Sequence, residues 1–122
     1  MEFQAIIQRA AEVRAKYALL EQKQYGAEWT TEELALGFVG DVGDLTKLIV
    51  ALQGKRKISE AHDKLAHELA DCLWSVIILA KAHHVDLESA FMKTMDDLDE
   101  HINKLLTGDE GKGIIKPQTI AR

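Results

Sequence analysis

Apolar residues recur at intervals of three and four along most of the chain, the spacing that places them on one face of an α-helix. The 122-residue sequence contains a single proline, Pro117, which lies near its end and interrupts no earlier segment. The pattern predicts four helices, which cover approximately residues 3–24, 30–53, 59–84 and 87–106. A chain of this length is typical of one domain. We therefore expect an all-α fold, a four-to-five-helix bundle.

Short signals mark the ends of these helices. Thr30, with Glu33 three residues later, is the sequence signature of a capping box. Ser59 is the predicted N-cap of the third helix, because a serine side chain can accept a hydrogen bond from the first turn. The segment after the last helix is polar and rich in glycine. We therefore expect a helical domain over residues 1–107 and a flexible tail over residues 108–122.

Composition argues against several kinds of partner. The formal net charge is −5 and the basic residues form no stripe, whereas duplex nucleic acid requires a dense cationic surface. The longest apolar run, residues 69–82, contains Asp71 and Lys81 and is too short and polar to span a membrane. Cys72 is the single cysteine, and the N-terminus lacks the order of a signal peptide. These features predict a cytoplasmic location.

Two of the predicted helices carry acidic pairs inside their apolar stripes. On a helical wheel, Asp41 lies among the apolar side chains of the second helix, and Asp44 is three residues further on. Glu68 and Asp71 repeat this arrangement in the third helix, which is apolar almost all round. Side chains at this spacing are neighbours, so four carboxylates converge if the two helices face each other.

A convergence of four carboxylates in an apolar surrounding has few stable forms. Each buried carboxylate carries a desolvation cost of several kcal/mol, and the four charges repel one another. The cluster must therefore be protonated, paired with cations or occupied by metal, and the stripe offers too few nearby lysines and arginines. Hard divalent cations prefer oxygen ligands, and Mg²⁺ suits the cluster best if a phosphate supplies further ligands.

Other interpretations of the acidic pairs stay open. An acidic pair on one helix is usually a solvated face, so the metal hypothesis depends on two pairs that both lie in apolar stripes. His67, Glu68 and Asp71 form a near miss of the zinc motif HExxH, and a di-iron bundle would need Glu-x-x-His pairs. No third nitrogen ligand for zinc is evident, so both metals rank below Mg²⁺.

Several residues near the acidic pairs are candidate substrate contacts. Trp29 and Trp74 can stack on a nucleotide base, although a core position is the commoner role of a tryptophan. Lys93 and Asp97 lie one turn apart on the fourth helix. They form a surface ion pair by default, but Lys93 can contact a phosphate if that helix borders the acids. Three poor helix formers in the second helix leave room for a close helix neighbour or a bulky ligand: Gly37, Gly40 and Gly43.

Two segments carry a resemblance to a known family. VGDVGDL, followed by HELADCLWSVIILAKAHHVDLESAFMKTMDDL, resembles the MazG-like all-α nucleoside triphosphate pyrophosphohydrolases, and the resemblance covers approximately residues 29–101. In that family an E-x-x-E pair on one helix precedes an E-x-x-D pair on the next. Asp41 and Asp44 match the first pair, and Glu68 and Asp71 match the second. The resemblance implies that these four are the catalytic residues and bind Mg²⁺, with Mn²⁺ as an alternative.

The resemblance also implies an activity, an assembly and a role. The activity is hydrolysis of a nucleoside triphosphate, most readily a deoxynucleotide, to the monophosphate and pyrophosphate, with a role in clearing the nucleotide pool. Lys93 matches a phosphate-contacting lysine of the family. Four helices of this length form only a thin bundle, so we expect a homodimer or a dimer-of-dimers tetramer whose association completes the core.

The sequence departs from the family pattern in two places. Both acids of the first pair are aspartates, whereas the family usually has glutamates that reach one methylene further. The usual lysine, asparagine, arginine and tyrosine positions read Asp96-Asp97 and Glu100-His101. These departures favour an alternative function, that of a degenerate, non-catalytic MazG-like helical module that binds nucleotide or a protein partner.

Overall fold

The computed structural model describes residues 2–55 and 57–108, and every regular element in them is an α-helix. The helices are α1 (Phe3–Tyr25), α2 (Thr31–Leu52), α3 (Ala61–Ala82) and α4 (Leu87–Thr107). The prediction of an all-α fold with four helices is confirmed. The predicted tail lies outside the described residues from residue 109 onward.

The chain divides into two compact units, Met1–Asp86 and Leu87–Arg122. The first unit contains α1, α2 and α3, and the second contains α4. None of the α4 side chains is fully buried. Within the described residues, no helix is long and apolar enough to cross a bilayer.

The predicted start of α2 is confirmed in atomic detail. The backbone N–H of Glu33 donates to Thr30 Oγ1 at 3.2 Å, and the N–H of Thr30 donates to Glu33 Oε1 at 2.9 Å. This reciprocal arrangement satisfies two amide groups that a helix leaves without partners. The first helix ends at Gly26, whose φ of 80° is a left-handed conformation that glycine adopts readily.

The predicted N-cap of α3 is wrong. Glu60, not Ser59, is the residue that precedes the helix, and it has a left-handed backbone with φ 55° and ψ 37°. No side chain accepts a capping hydrogen bond there. The reason is the backbone conformation at Glu60, which turns the chain sharply immediately before the first helical residue. The end of α3 also falls earlier than predicted, because His84 has a φ of 57° and ends the helical conformation.

The core of the first unit lies where α3 meets the other two helices. α2 packs along α3, and α1 packs against α3 as well. The buried apolar residues come from all three helices: Ala10, Leu48, Ile77 and Ile78. Trp74 links α3 to α1, since its indole Nε1 donates to the carbonyl oxygen of Ala10 at 3.3 Å. Its ring also lies 6.1 Å from the ring of Tyr17. The packing therefore fixes the face of α3 that carries the acidic pair.

This core is small for the amount of apolar surface on the helices. Large apolar side chains are exposed on every helix, and on α2 the exposed fractions of Leu36 and Val39 reach 71% and 68%. Large exposed apolar patches mark places where a protein contacts a ligand or another protein surface.

Candidate metal centre

The packing of α2 along α3 brings the predicted carboxylates together. Asp41, Asp44 and Glu68 each offer one carboxylate oxygen, and these three oxygens lie within 4.8 Å of one another. A second group, formed by His67, Glu68 and Asp71, meets the same condition. Glu68 belongs to both groups, so all four acids predicted from the sequence take part in two overlapping sets of candidate ligands.

Glu68 has the most unusual environment in this cluster. Its Oε2 atom is buried and has no hydrogen-bond partner within the described part of the chain. Burial raises the pKa of the Glu68 carboxyl, and the negative charges of Asp71, Asp44 and Asp41 raise it further. A buried oxygen without a partner is costly. A divalent cation bound to this oxygen would remove that cost, so the residues present fit a metal site.

Asp41 is half-buried and is held by a neighbour on α3. Ser75 Oγ donates to Asp41 Oδ2 at 3.5 Å, and Ser75 itself is buried. Burial raises the pKa of Asp41, as does the charge of Asp71, whereas the hydrogen bond from Ser75 lowers it. The sequence interpretation missed Ser75. The available signal was a small polar residue in an apolar run, seven residues after Glu68 and therefore on the same face of α3.

The other two acids are more open than the sequence suggested. Asp44 is exposed, and the Asp71 side chain is 40% exposed. Asp71 Oδ2 lies 3.2 Å from His67 Nε2, one turn away on α3. The expectation that all four carboxylates are buried among apolar side chains is therefore wrong: Asp41 and Glu68 are half-buried, and the buried atom without a partner among the described residues is Glu68 Oε2. Asp44 lies at the border of the contact between α2 and α3, where the single neighbouring helix does not cover it.

A cavity of about 380 Å³ opens beside the cluster. Its lining includes three acids, Asp44, Asp63 and Glu68, together with Lys47, Lys64 and His67. The two lysines next to these carboxylates are suited to an anion that reaches the acids through a metal ion.

Aromatic cavities open next to the same acids. A cavity of about 640 Å³ has Trp29, Trp74 and Asp71 in its lining. A smaller cavity of about 210 Å³ lies between the two tryptophans and Asp41, with Gly37 in its wall. The structure thus brings both predicted tryptophans close to the acidic cluster, and the flat apolar faces are suited to stacking on a base.

The glycines of α2 have no close neighbour in the described chain. A Cβ atom added at Gly37, Gly40 or Gly43 would meet nothing within 4 Å. Of the two roles predicted for them, a close helix neighbour is therefore not found within the described residues. Gly37, which lines the smaller aromatic cavity, instead leaves open space beside Asp41.

Lys93 and Asp97 lie in the second unit, on α4. Lys93 Nζ is 3.0 Å from Asp97 Oδ2, and the two side chains are 78% and 64% exposed. This is the surface ion pair that the spacing predicts by default. Their contact with substrate stays a prediction.

The all-α fold and the shared carboxylate ligands define a helical protein with a candidate divalent-metal centre. The family model for the MazG nucleotide pyrophosphohydrolase domain matches residues 29–105, a segment that contains both acidic pairs. The chain therefore belongs to the MazG nucleotide pyrophosphohydrolase family. No curated protein and no solved structure matches it significantly.

Proposed function

We propose that this protein is a Mg²⁺-dependent nucleoside triphosphate pyrophosphohydrolase. It cleaves the phosphoanhydride between the α and β phosphates of a ribo- or deoxyribonucleoside triphosphate, and the products are the monophosphate and pyrophosphate. The observation that carries the proposal is Glu68, whose Oε2 atom is buried without a partner in the described chain and which two candidate ligand groups share, in a family of nucleotide pyrophosphohydrolases. The proposed role is the clearing of unwanted nucleotides in the cytoplasm.

The residues that would hold the metal are carboxylates from both helices. Asp41, Asp44 and Glu68 offer oxygen atoms alone, the ligand type that Mg²⁺ prefers and Mn²⁺ accepts. Asp71, with Glu68, can hold a second ion. When bound, Mg²⁺ supplies charge neutralisation of the phosphates and lowers the pKa of a water molecule.

Asp41 is the carboxylate that we assign to the attacking water. It is half-buried and belongs to the group of acids that would hold the metal, so it would lie beside a water molecule bound to that ion. The hydrogen bond from Ser75 orients one oxygen and leaves the other free for a proton. The substrate's phosphates lie in the cavity that Lys47 and Lys64 line. Lys93, which matches a phosphate-contacting lysine of the family, and Asp97 stay further candidate substrate contacts.

The base occupies the aromatic cavity on the other side of the acids. Trp29 and Trp74 both line it, and stacking on such rings contributes about 1–3 kcal/mol per base. The other residues of the cavity wall would determine which base is bound.

The active form is a homodimer or a dimer of dimers. Exposed apolar side chains on all four helices support this assembly, because association is the usual way to cover such surface. A second copy would also shield Asp44, which is exposed in the single chain.

Pyrophosphate release tests the proposal directly. Canonical and modified nucleoside triphosphates are supplied one at a time, with Mg²⁺ and then Mn²⁺. We expect release by the wild type and by the control variant E32Q, whose acid lies in the first turn of α2 away from the cluster. We expect D41N and E68Q to lose at least a hundredfold in rate. Nucleotide binding without release from any substrate would contradict the proposal and support the non-catalytic module.

A further inference from the structure

A sheltered ion pair on α1 lies outside the acidic cluster and has no part in it. Arg14 Nη1 donates to Glu21 Oε2 at 2.8 Å, and Arg14 Nη2 donates to Glu21 Oε1 at 3.0 Å. Their side chains are only 15% and 9% exposed. Two parallel hydrogen bonds fix both position and direction of the carboxylate, which a single point charge would not do. The geometry is therefore specific as well as strong.

Glu21 also contacts the chain that follows α1. Its Oε1 atom accepts a hydrogen bond from the backbone N–H of Trp29 at 2.8 Å. Trp29 immediately precedes Thr30, the N-cap of α2. The pair thus ties the start of α2 to α1 across the turn at Gly26. It fixes the backbone from which the Trp29 side chain extends.

Arg14, Glu21 and Trp29 share one cavity. All three line the cavity of about 640 Å³, together with Trp74 and with Asp71 of the acidic cluster. Trp29 also lines the smaller cavity that contains Asp41. Trp29 therefore borders both the cavity that the ion pair lines and the cavity that contains Asp41, where a base could stack.

We propose that Arg14 and Glu21 are positioning residues for nucleotide recognition: Glu21, oriented by Arg14, holds the Trp29 backbone so that the indole forms one wall of the base cavity. The identity of the ligand as a nucleotide rests on the proposed function. We expect the pair to affect the base more than the phosphates or the metal, because its hydrogen bond to the start of α2 is made to the Trp29 backbone. A purely structural clamp would instead affect all ligands through loss of the fold.

Two ligands that differ by the nucleoside separate these roles. Inorganic triphosphate carries the phosphates without sugar or base, and the nucleoside triphosphate that binds the wild type best carries all three parts. Affinities for both are measured by calorimetry with Mg²⁺, and melting temperatures are recorded in parallel. The control is R9Q, which removes an exposed ion pair, Arg9 with Glu12, on the same helix. We expect R9Q to leave both affinities unchanged.

The informative variants are E21Q and the charge swap R14E/E21R. In E21Q the amide nitrogen cannot accept from Arg14 Nη1, so the side chain that holds the Trp29 N–H loses its orientation. We expect E21Q to weaken nucleoside triphosphate binding about tenfold, the loss of part of one base stack, while inorganic triphosphate binding changes less than twofold. The swap restores an ion pair, but an arginine side chain has no acceptor for the Trp29 N–H. The swap should therefore recover thermal stability and not nucleotide affinity.

Three results would overturn the inference. They are a parallel loss of both affinities in folded E21Q, full recovery of nucleotide affinity in the swap, and a wild type that binds inorganic triphosphate as tightly as every nucleoside triphosphate. Pyrophosphate release is scored separately. A wild type that binds nucleotide through its base and releases no pyrophosphate contradicts the proposed function while the affinity pattern still decides on Arg14 and Glu21.

Discussion

The substitution Glu68→Gln should make the metal-free protein more stable and remove most of its stabilisation by Mg²⁺. Glu68 Oε2 is buried without a partner within the part of the chain that the structure describes. Burial is the main reason why the pKa of the Glu68 carboxyl is raised, and three neighbouring carboxylates raise it further. Leaving a buried polar atom unpaired costs about 1–3 kcal/mol. Glutamine keeps the shape, removes the charge and can donate to a neighbouring carboxylate. We expect a gain of about 1 kcal/mol, or roughly 3–6 °C in melting temperature for a chain of this size.

Mg²⁺ should reverse the order of the melting temperatures of the wild type and E68Q. At a concentration one hundred times its dissociation constant, a ligand stabilises the folded state by about 2.7 kcal/mol. The wild type should therefore melt below E68Q in EDTA and above it in saturating Mg²⁺. The assay is thermal unfolding followed by circular dichroism under both conditions, with E32Q as the matched acidic control.

The pH dependence gives an independent check of the same reasoning. A carboxyl whose pKa is raised in the folded state stabilises the protein below its unfolded pKa of about 4.5, and this contribution is lost as pH rises through the folded value. The advantage of E68Q in EDTA should therefore be greatest near pH 7 and shrink toward pH 4.5. A variant less stable than wild type in EDTA at pH 7, or equally stabilised by Mg²⁺, would refute the account of Glu68.

Further predictions concern residues around the cluster. Arg14 lowers the pKa of Glu21, so the stability that Glu21 contributes above pH 4.5 should be lost as pH falls through its folded pKa. In urea unfolding, the free energy of unfolding of E21Q should therefore depend less on pH in this acidic range than that of the wild type. G37A and G40A should each stabilise α2 by about 1 kcal/mol, but only G37A, which fills the cavity beside the acids, should weaken nucleotide binding by calorimetry. S75A removes the donor to its aspartate partner and should lower kcat several-fold in the pyrophosphate assay, with KM little changed.

Local patterns in the sequence predicted most of the fold. Helical periodicity gave the four helices, and the capping box at Thr30 formed as predicted because both partners lie within one turn. The acidic pairs also converged, since α2 and α3 bury their apolar stripes against each other. The prediction of an N-cap at Ser59 was wrong because Glu60, which has a left-handed backbone conformation, lies between Ser59 and the helix. No residue type in that loop indicates such a conformation.

Features that depend on tertiary packing could not be predicted in the same way. A helical wheel gives the direction of Asp44 but not how far the neighbouring helix covers it, and that coverage decides its exposure. The ion pair of Arg14 with Glu21 spans two turns, which a wheel allows. Its bond to the Trp29 amide depends on the turn at Gly26, so it emerges only from the folded chain.

The most direct test of the central claim, that α2 and α3 together form one metal centre for a nucleotide, is anomalous diffraction from crystals grown with Mn²⁺ and a non-hydrolysable deoxynucleoside triphosphate. We predict an anomalous peak at coordination distance from Glu68 and from at least one of Asp41 and Asp44, with the nucleotide's phosphates touching the same ion. A nucleotide bound elsewhere, or an ion that contacts only one of the two helices, would contradict the claim.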